Sequence, residues 1–337
     1  MKETNSGRRQ YKTEHHSRGM MKSLMVVSGW ILCVAAFVAG GLTVLGISGK
    51  YNLKQQTMSY AASAGEPVRT ITVMADTEED RGKDQSADQN REYRYNEDIL
   101  TFLLMGIDGE GAAEGYAGGG RADALFLFVL NPHDETMSLI PINRDTMTEV
   151  NVYDAQGNYE NTVTAQVCVQ YGFGDGGRES CEYQIEAVRN LFYGIPIHGY
   201  LAVDMGAVPA VTELIGGMDL RALTDVRNGD REVRQRQFMT ALIDKVRRMT
   251  KEDLTVPIKI YNSISDRAVT DITVDEVTYL TAIAGGYHFS ESRVVTVPGR
   301  SISGEENRDS GLDEFYVDET ALYELILDVF YEPADEK

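Results

Sequence analysis

Asp108, Arg121, Asp123, Arg144 and Asp145 lie close to short apolar runs and combine residue types that suit phosphate chemistry. An arginine fork grips phosphate oxygens two at a time. Carboxylates together with substrate phosphates are the usual ligands of Mg2+. Such a set fits phosphoryl transfer, in which the protein mainly positions groups and neutralises charge. The same residues at strand ends also make ordinary surface ion pairs of little worth. Taken alone, the residue types leave both readings open.

The elements that must position them can be read from the hydrophobic pattern. Ile99–Gly106 is an apolar run ending in glycine, which predicts a buried strand. Ala124–Leu130 is a second strand, Asn131-Pro132 marks a turn, and Met137–Ile142 is a third. Pro141 predicts that this third strand lies at an edge or ends irregularly. Symmetric pairing of the second and third strands about the Asn131–Thr136 loop sets Asp123 opposite Arg144. Asp108 falls just past the first strand, and the glycine-rich stretch Gly115–Gly120 returns the chain to Arg121 and Asp123.

Further along, Glu182–Phe192 predicts a helix with Ile185, Val188 and Phe192 on one face. Val208–Ile215 reads as a helix stopped by Gly216-Gly217. Arg231–Met249 places Phe238, Leu242, Val246 and Met249 at helical spacing. Asp275–Ala284 and Asp318–Phe330 repeat that pattern, with a short strand, Arg293–Val297, between them. Strands alternating with helices predict an α/β fold in which helices cover a sheet.

Composition narrows the function classes. The chain has 337 residues, of which 42% are hydrophobic and 25% charged, so it can bury a real core and is neither fibrous nor wholly disordered. A net charge of −20 argues against nucleic acid as a partner, because phosphate backbones need Lys and Arg. Phosphate-binding glycine loops, the HExxH metal motif and the GxSxG nucleophile elbow are all missing. The histidines show no ligand spacing in the folded region, which argues against zinc.

The amino-terminal end has a separate character. Lys2, Arg8, Arg9, Lys12, Arg18 and Lys22 outweigh Glu3 and Glu14. The uncharged run Ser23–Gly49 follows, longer than the roughly 20 apolar residues that a membrane-spanning helix needs. A cleaved signal peptide would have a shorter apolar core. A buried core helix would not be bracketed by Lys22 and Lys50. The expected organisation is a cytoplasmic basic tail (1–22), a membrane helix (23–49) and a polar stalk (50–95). A folded domain outside the membrane (96–331) and a short tail (332–337) complete it. Cys33 lies in the membrane run. Cys168 and Cys181 are near each other in a compartment where disulfides can persist, and GFGDGG between them lets the chain turn back. They are the expected disulfide pair; two free thiols are the alternative.

The order of motifs resembles the LytR-CpsA-Psr family of Gram-positive bacteria. LLMGID (Leu103–Asp108), RADALFLFVLNP (Arg121–Pro132) and SLIPINRDT (Ser138–Thr146) follow that family's sequence of patterns. AVRNLFYGIPIHGYLAVDM (Ala187–Met205), LIGGMDL (Leu214–Leu220) and REVRQRQ (Arg231–Gln237) continue it. The resemblance implies a central mixed β-sheet flanked by helices in an α/β/α arrangement. It also implies a membrane-bound transferase that moves a glycopolymer phosphate from a polyprenyl-pyrophosphate carrier onto peptidoglycan, with Mg2+. On that basis Asp108 and Asp123 are implied metal and pyrophosphate-side carboxylates. Arg121 and Arg144 are implied diphosphate clamps, with Arg144 foremost in catalysis. Arg231 and Gln235 are implied to reach the same headgroup, and Arg227 is what remains of a paired-arginine step. A hydrophobic pocket between sheet and helices is implied for the polyprenyl chain.

The chain departs from the family pattern in three places. Gln166 stands where relatives have a lysine and Cys168 where they have an asparagine. DVRNGD (Asp225–Asp230) keeps only Arg227, and the segment 221–226 is short. These departures keep two rival functions in view. One is a non-catalytic membrane regulator or wall-binding module on the same fold. The other is a phosphatase acting on polyprenyl pyrophosphate.

Overall fold

Apolar side chains alternate along several neighbouring strands, creating a sheet with two faces to cover. The structure, a computed structural model, describes residues 48–50, 52–53, 68–73, 91–108, 120–154, 156–218, 231–308 and 310–334. In chain order the strands are β1 (Thr70–Val73), β2 (Arg91–Tyr95), β3 (Leu100–Asp108), β4 (Arg121–Asn131), β5 (Thr136–Ile142) and β6 (Met147–Tyr153). They continue with β7 (Tyr159–Gln166), β8 (Gly199–Asp204), β9 (Ala268–Thr270), β10 (Gly299–Ile302), β11 (Glu314–Val317) and β12 (Tyr331–Pro333). The helices are α1 (Arg178–Leu191), α2 (Val208–Leu214), α3 (Arg231–Glu252), α4 (Val256–Ile264), α5 (Val274–Ala284) and α6 (Glu319–Phe330).

The central sheet has five strands in the order β5-β4-β3-β8-β9. Only β3 and β8 pair in parallel, so the sheet is mixed. One face packs Leu103, Leu125, Leu127, Ile140 and Tyr200 against α1 and α6. The other packs Phe102, Phe126, Leu130 and Leu139 against Tyr287 and Phe289, with partly buried cover from α3 and α5. Helices on both faces give three layers, the architecture expected from the sequence.

Several expectations need adjustment. The stretch assigned to a polar stalk contributes β1 and β2, and β2 also pairs with β12, so the folded unit starts before Asn96. Arg293–Val297 is not a strand: Glu291–Arg293 is a 3-10 turn, and Val294 makes a single parallel bridge to Leu139. That bridge, with one from Thr136 to His288, covers β5, which is the edge strand that Pro141 predicted. In α3 the residues that join the second cluster are Met239 and Ile243, beside the stripe that periodicity selected. The β6–β7 ribbon, β8 and α4 carry weak patterns and were not anticipated.

The basic tail, the membrane run as far as Ile47, the charged patch near Asp80, Cys33, the 221–226 segment and Arg227 lie outside the described residues. Among the described residues no helix is long and apolar enough to cross a membrane. Just beyond that run, Leu53 is 1% exposed and belongs to the second apolar cluster. Gly49 lies so close to α5 that a Cβ would sit 2.6 Å from the Asp275 carbonyl oxygen. Only glycine permits that approach.

Candidate phosphate site

The β4–β5 hairpin pairs Leu125 with Ile142 and Asn131 with Thr136, in the register expected from symmetric pairing. Continuing it past the last paired residues brings Arg144 to Asp123, and their side chains meet at 2.9 Å. A second feature was not legible in the sequence. The β3–β4 ladder runs to Gly106 opposite Ala124 and resumes with Ile107 opposite Ala122, so Asp123 is the extra residue of a bulge. A bulge re-aims a side chain. Here the Asp123 carboxylate meets the first turn of α3, where Arg231 pairs with its other oxygen at 2.8 Å. Gln235, one helical turn on, donates to the Asp123 carbonyl at 3.1 Å. Asn143 donates to Glu232 at 3.2 Å and ties the end of β5 to the same turn.

Asp123 is 5% exposed. A buried carboxylate is costly unless paired, and this one is paired twice. It holds Arg144 and Arg231, whose side chains remain 29% and 44% exposed. Arg121 enters from the start of β4, where Gly120 at φ 76° makes the turn and would place a Cβ 2.9 Å from the Asp108 carbonyl oxygen. Asp108 is the register partner of Arg121 at the end of β3. The site therefore gathers Arg121, Arg144 and Arg231 around Asp123 in a chain whose net charge is −20. Such a local concentration of guanidinium groups attracts anions that the rest of the surface repels.

Gln166, at the end of β7, connects this cluster internally. Its Oε1 accepts from Arg121 Nη2 at 3.1 Å, and its Nε2 donates to Asp145 Oδ1 at 2.9 Å and to the Asp313 carbonyl at 2.7 Å. Arg121 Nη2 also meets Cys168 Sγ at 3.0 Å. Burial pushes the Cys168 thiol up against the pull of Arg121, so it stays a neutral thiol. Burial also raises the Asp145 carboxyl, while Arg144 works in the opposite direction.

The expected Cys168–Cys181 disulfide is absent: both residues are free and buried. The 3-10 turn after β7 gives the Cys168 thiol to Arg121, whereas α1 carries Cys181 to Tyr171. Burial holds the Cys181 thiol at about 12. Asp123, Arg121, Arg144, Arg231 and Gln235 thus come together as the sequence suggested, and Asp108 lies on the adjoining strand end. Gln166 and Asp145 join them through contacts that sequence spacing does not reveal, since β7 is placed by its pairing with β6.

Among the described residues no group of three or more His, Cys, Asp and Glu side chains forms a metal cage. The donor set suits an ion held partly by phosphate. Mg2+ is commonly bound through one or two carboxylates plus substrate oxygens. Asp123 retains lone pairs beyond those its arginines use.

Fold and site together define a class: a three-layer α/β protein with a group of arginines organised by one buried carboxylate at the end of its central sheet. The model of the LytR_cpsA_psr family matches residues 68–232. Over those residues, about half of the sequence, the chain is similar to the LytR-CpsA-Psr family. The polyisoprenyl-teichoic acid–peptidoglycan teichoic acid transferase TagU of Bacillus cereus is 25% identical over 281 residues, covering 73% of this chain and 82% of its own. The TagU of Bacillus licheniformis is 23% identical over 261 residues, covering 68% and 76%. The crystal structure of B. subtilis TagV shares the fold, with a TM-score of 0.50 at 23% identity over 69% of this chain and 96% of that one.

Proposed function

We propose that the chain is a membrane-anchored transferase that moves a glycopolymer phosphate from a polyprenyl-pyrophosphate carrier onto peptidoglycan. The observation that carries this reading is Asp123, paired at once with Arg144 and Arg231 where β4 passes from the arginine cluster into the second apolar face. The relatives named as teichoic acid transferases support the same chemistry. In this reading Arg121, Arg144 and Arg231 bind the diphosphate, with Arg227 as a further contact. A wall hydroxyl attacks the phosphorus that carries the glycopolymer and gives up its proton to solvent, the P–O–P bond breaks, and polyprenyl phosphate leaves. Negative charge grows on the bridging oxygen, and prepositioned guanidinium groups stabilise it without having to reorganise. Asp123 holds those groups in place, and Gln235 holds α3 against β4. Mg2+, bound by Asp108 and Asp123 with diphosphate oxygens, would supply further charge neutralisation.

The polyprenyl chain fits the second face of the sheet. Along α3 the residues facing inward at four-residue steps are Arg231, Gln235, Met239 and Ile243, polar at the headgroup and apolar beyond it. Ser23–Gly49 serves as the anchor, with residues 1–22 in the cytoplasm and the folded domain outside the cell membrane. The seating of Gly49 and Leu53 on α5 and the second cluster supports an orientation in which this apolar face meets the bilayer.

Arg144→Ala tests the reading. Transfer from purified lipid-linked polymer is expected to fall by on the order of 10²–10³-fold, as when other charge-stabilising donors are removed. Thermal unfolding should confirm that the variant is folded. Wild-type turnover in a folded Arg144→Ala protein overturns the mechanism.

A further inference from the structure

The stretch Gln166–Cys168 touches two of the arginines at once. Gln166 Oε1 and Cys168 Sγ both receive Arg121 Nη2. The Cys168 backbone N–H donates to the Arg144 carbonyl at 3.2 Å. Gln166 Nε2 holds Asp145, whose Oδ1 lies 3.5 Å from Arg144 Nε. Asp145 is itself fixed by its carbonyl, which accepts from Phe315 N at 2.8 Å.

The direction of the Gln166 amide is forced. A guanidinium only donates, so it requires the amide oxygen. Asp145 and the Asp313 carbonyl only accept, so they require the NH2. Reversing the amide would set donor against donor and acceptor against acceptor. At 8% exposure Gln166 has little water to repair such a mismatch. A lysine here would face Arg121 with a second cation, and a carboxylate would face Asp145 with a second anion.

We propose that Gln166 is the positioning residue of the diphosphate clamp: its amide, usable in one direction only, sets the placement of Arg121 relative to Arg144. The inference rests on the diphosphate reading above and goes beyond it by assigning the geometry of the clamp to a neutral residue. A clamp of fixed span should favour pyrophosphate, with oxygens on two phosphorus atoms, over orthophosphate.

The test is calorimetric titration of the full-length chain with inorganic pyrophosphate and with orthophosphate at pH 8 and pH 5.5. The proteins are wild type, Gln166→Met, Gln166→Glu and Arg144→Ala. Wild type is expected to prefer pyrophosphate, and Arg144→Ala to lose it. Gln166→Met keeps the volume without the polarity and should bind pyrophosphate about tenfold more weakly than wild type at both pH values, the scale of one lost hydrogen-bonded link. Gln166→Glu should be equally weak at pH 8 and recover toward wild type at pH 5.5. The introduced carboxyl faces Arg121, Cys168, Arg144, Asp145 and the Asp313 segment. Once protonated it can accept from Arg121 and donate its one proton to Asp145, restoring the link between them but not the bond to the Asp313 carbonyl, so the recovery is partial.

A purely structural role would give no recovery with pH. Wild-type pyrophosphate binding by both Gln166 variants at both pH values overturns the inference while Arg144→Ala still upholds the clamp. Absence of pyrophosphate binding by wild type, or its retention in Arg144→Ala, overturns both. Should Gln166→Met fail to fold, Gln166→Glu at the two pH values decides within one folded protein.

Discussion

On the face of the central sheet that meets α1 and α6, Leu103, Val188, Leu322 and Phe330 are completely buried. The face that meets α3 and α5 takes much of its cover from side chains that stay partly exposed, including Met239, Ile243, Tyr279, Leu280 and Ile283. Thr250 is the sole buried residue of α3. The same strand serves both faces: Leu125, Leu127 and Val129 of β4 point into the first cluster, Ala124, Phe126 and Leu130 into the second. Dense packing and looser cover are thereby separated within a single sheet. Dense packing on one side fixes the strands, which frees the other side to remain loosely covered next to the arginines. The bulge at Asp123 turns its carboxylate toward the loosely covered side, and so the charged groups and the apolar space end up adjacent.

If that division holds, equal truncations on the two faces should have unequal costs. Ile326→Ala removes from the sealed face a buried side chain of the same size as Ile243 and should destabilise by about 2–5 kcal/mol. Ile243→Ala, on the partly exposed face, should cost about 1 kcal/mol. It should instead raise the KM for lipid-linked substrate. Urea unfolding of both variants checks the comparison through their midpoints at unchanged slope. Similar losses in the two would mean that the second face is a core like the first.

His198 tests the same division through pH. It lies at the end of the sheet away from the arginines, where Thr101 N–H donates to its Nδ1 at 3.1 Å. Burial lowers its pKa to about 4. The unfolded chain takes up a proton near pH 6.5, while the native protein resists until about 4. Stability should therefore drop as pH falls through that window, by on the order of 1 kcal/mol per pH unit. Gln in place of His198 should remove this part of the slope, leaving the slope that comes from carboxylates. Chemical denaturation of wild type and His198→Gln at pH 7, 6 and 5 gives the difference. Parallel curves would show that His198 is not buried as a neutral ring.

Much of this architecture was legible in the sequence because its signals are local. The β4–β5 hairpin has a short loop and unbroken apolar strands, so a symmetric register placed Asp123 opposite Arg144. The α1 face of Ile185, Val188 and Phe192 repeats at helical spacing and is buried as read. What escaped the sequence depends on neighbours distant in the chain. A bulge is defined by the partner strand, and only the resumption of pairing at Ala122 reveals it. β2 looked like stalk because its third-strand partner, β12, comes from the other end of the chain. Cys168 looked like half of a disulfide because sequence distance says nothing about side-chain direction, and its thiol turned out to face Arg121.

The smallest effect expected concerns how the sealed face is closed at its rim. The small β1-β2-β12 sheet places Tyr95 and Tyr331 in the first cluster. One link from it to the tip of the β4–β5 hairpin is His133, with Nδ1 2.8 Å from Glu332 and Nε2 3.2 Å from Asp98. These carboxylates raise the imidazole pKa, the Asp98 hydrogen bond most strongly, although exposure to solvent keeps the pair weak. A raised folded-state pKa gives stabilisation that is complete below the unfolded value of about 6.5 and disappears as pH rises through the folded value. His133→Gln should therefore cost a few tenths of a kcal/mol at pH 5.5 and nearly nothing at pH 8.5, with the pH 5.5 cost shrinking further in high salt. Urea midpoints of the two proteins at both pH values supply the check. A loss that persists unchanged at pH 8.5 would mean that the ring contributes through packing or neutral hydrogen bonds, and that the small sheet is held to the hairpin without charge.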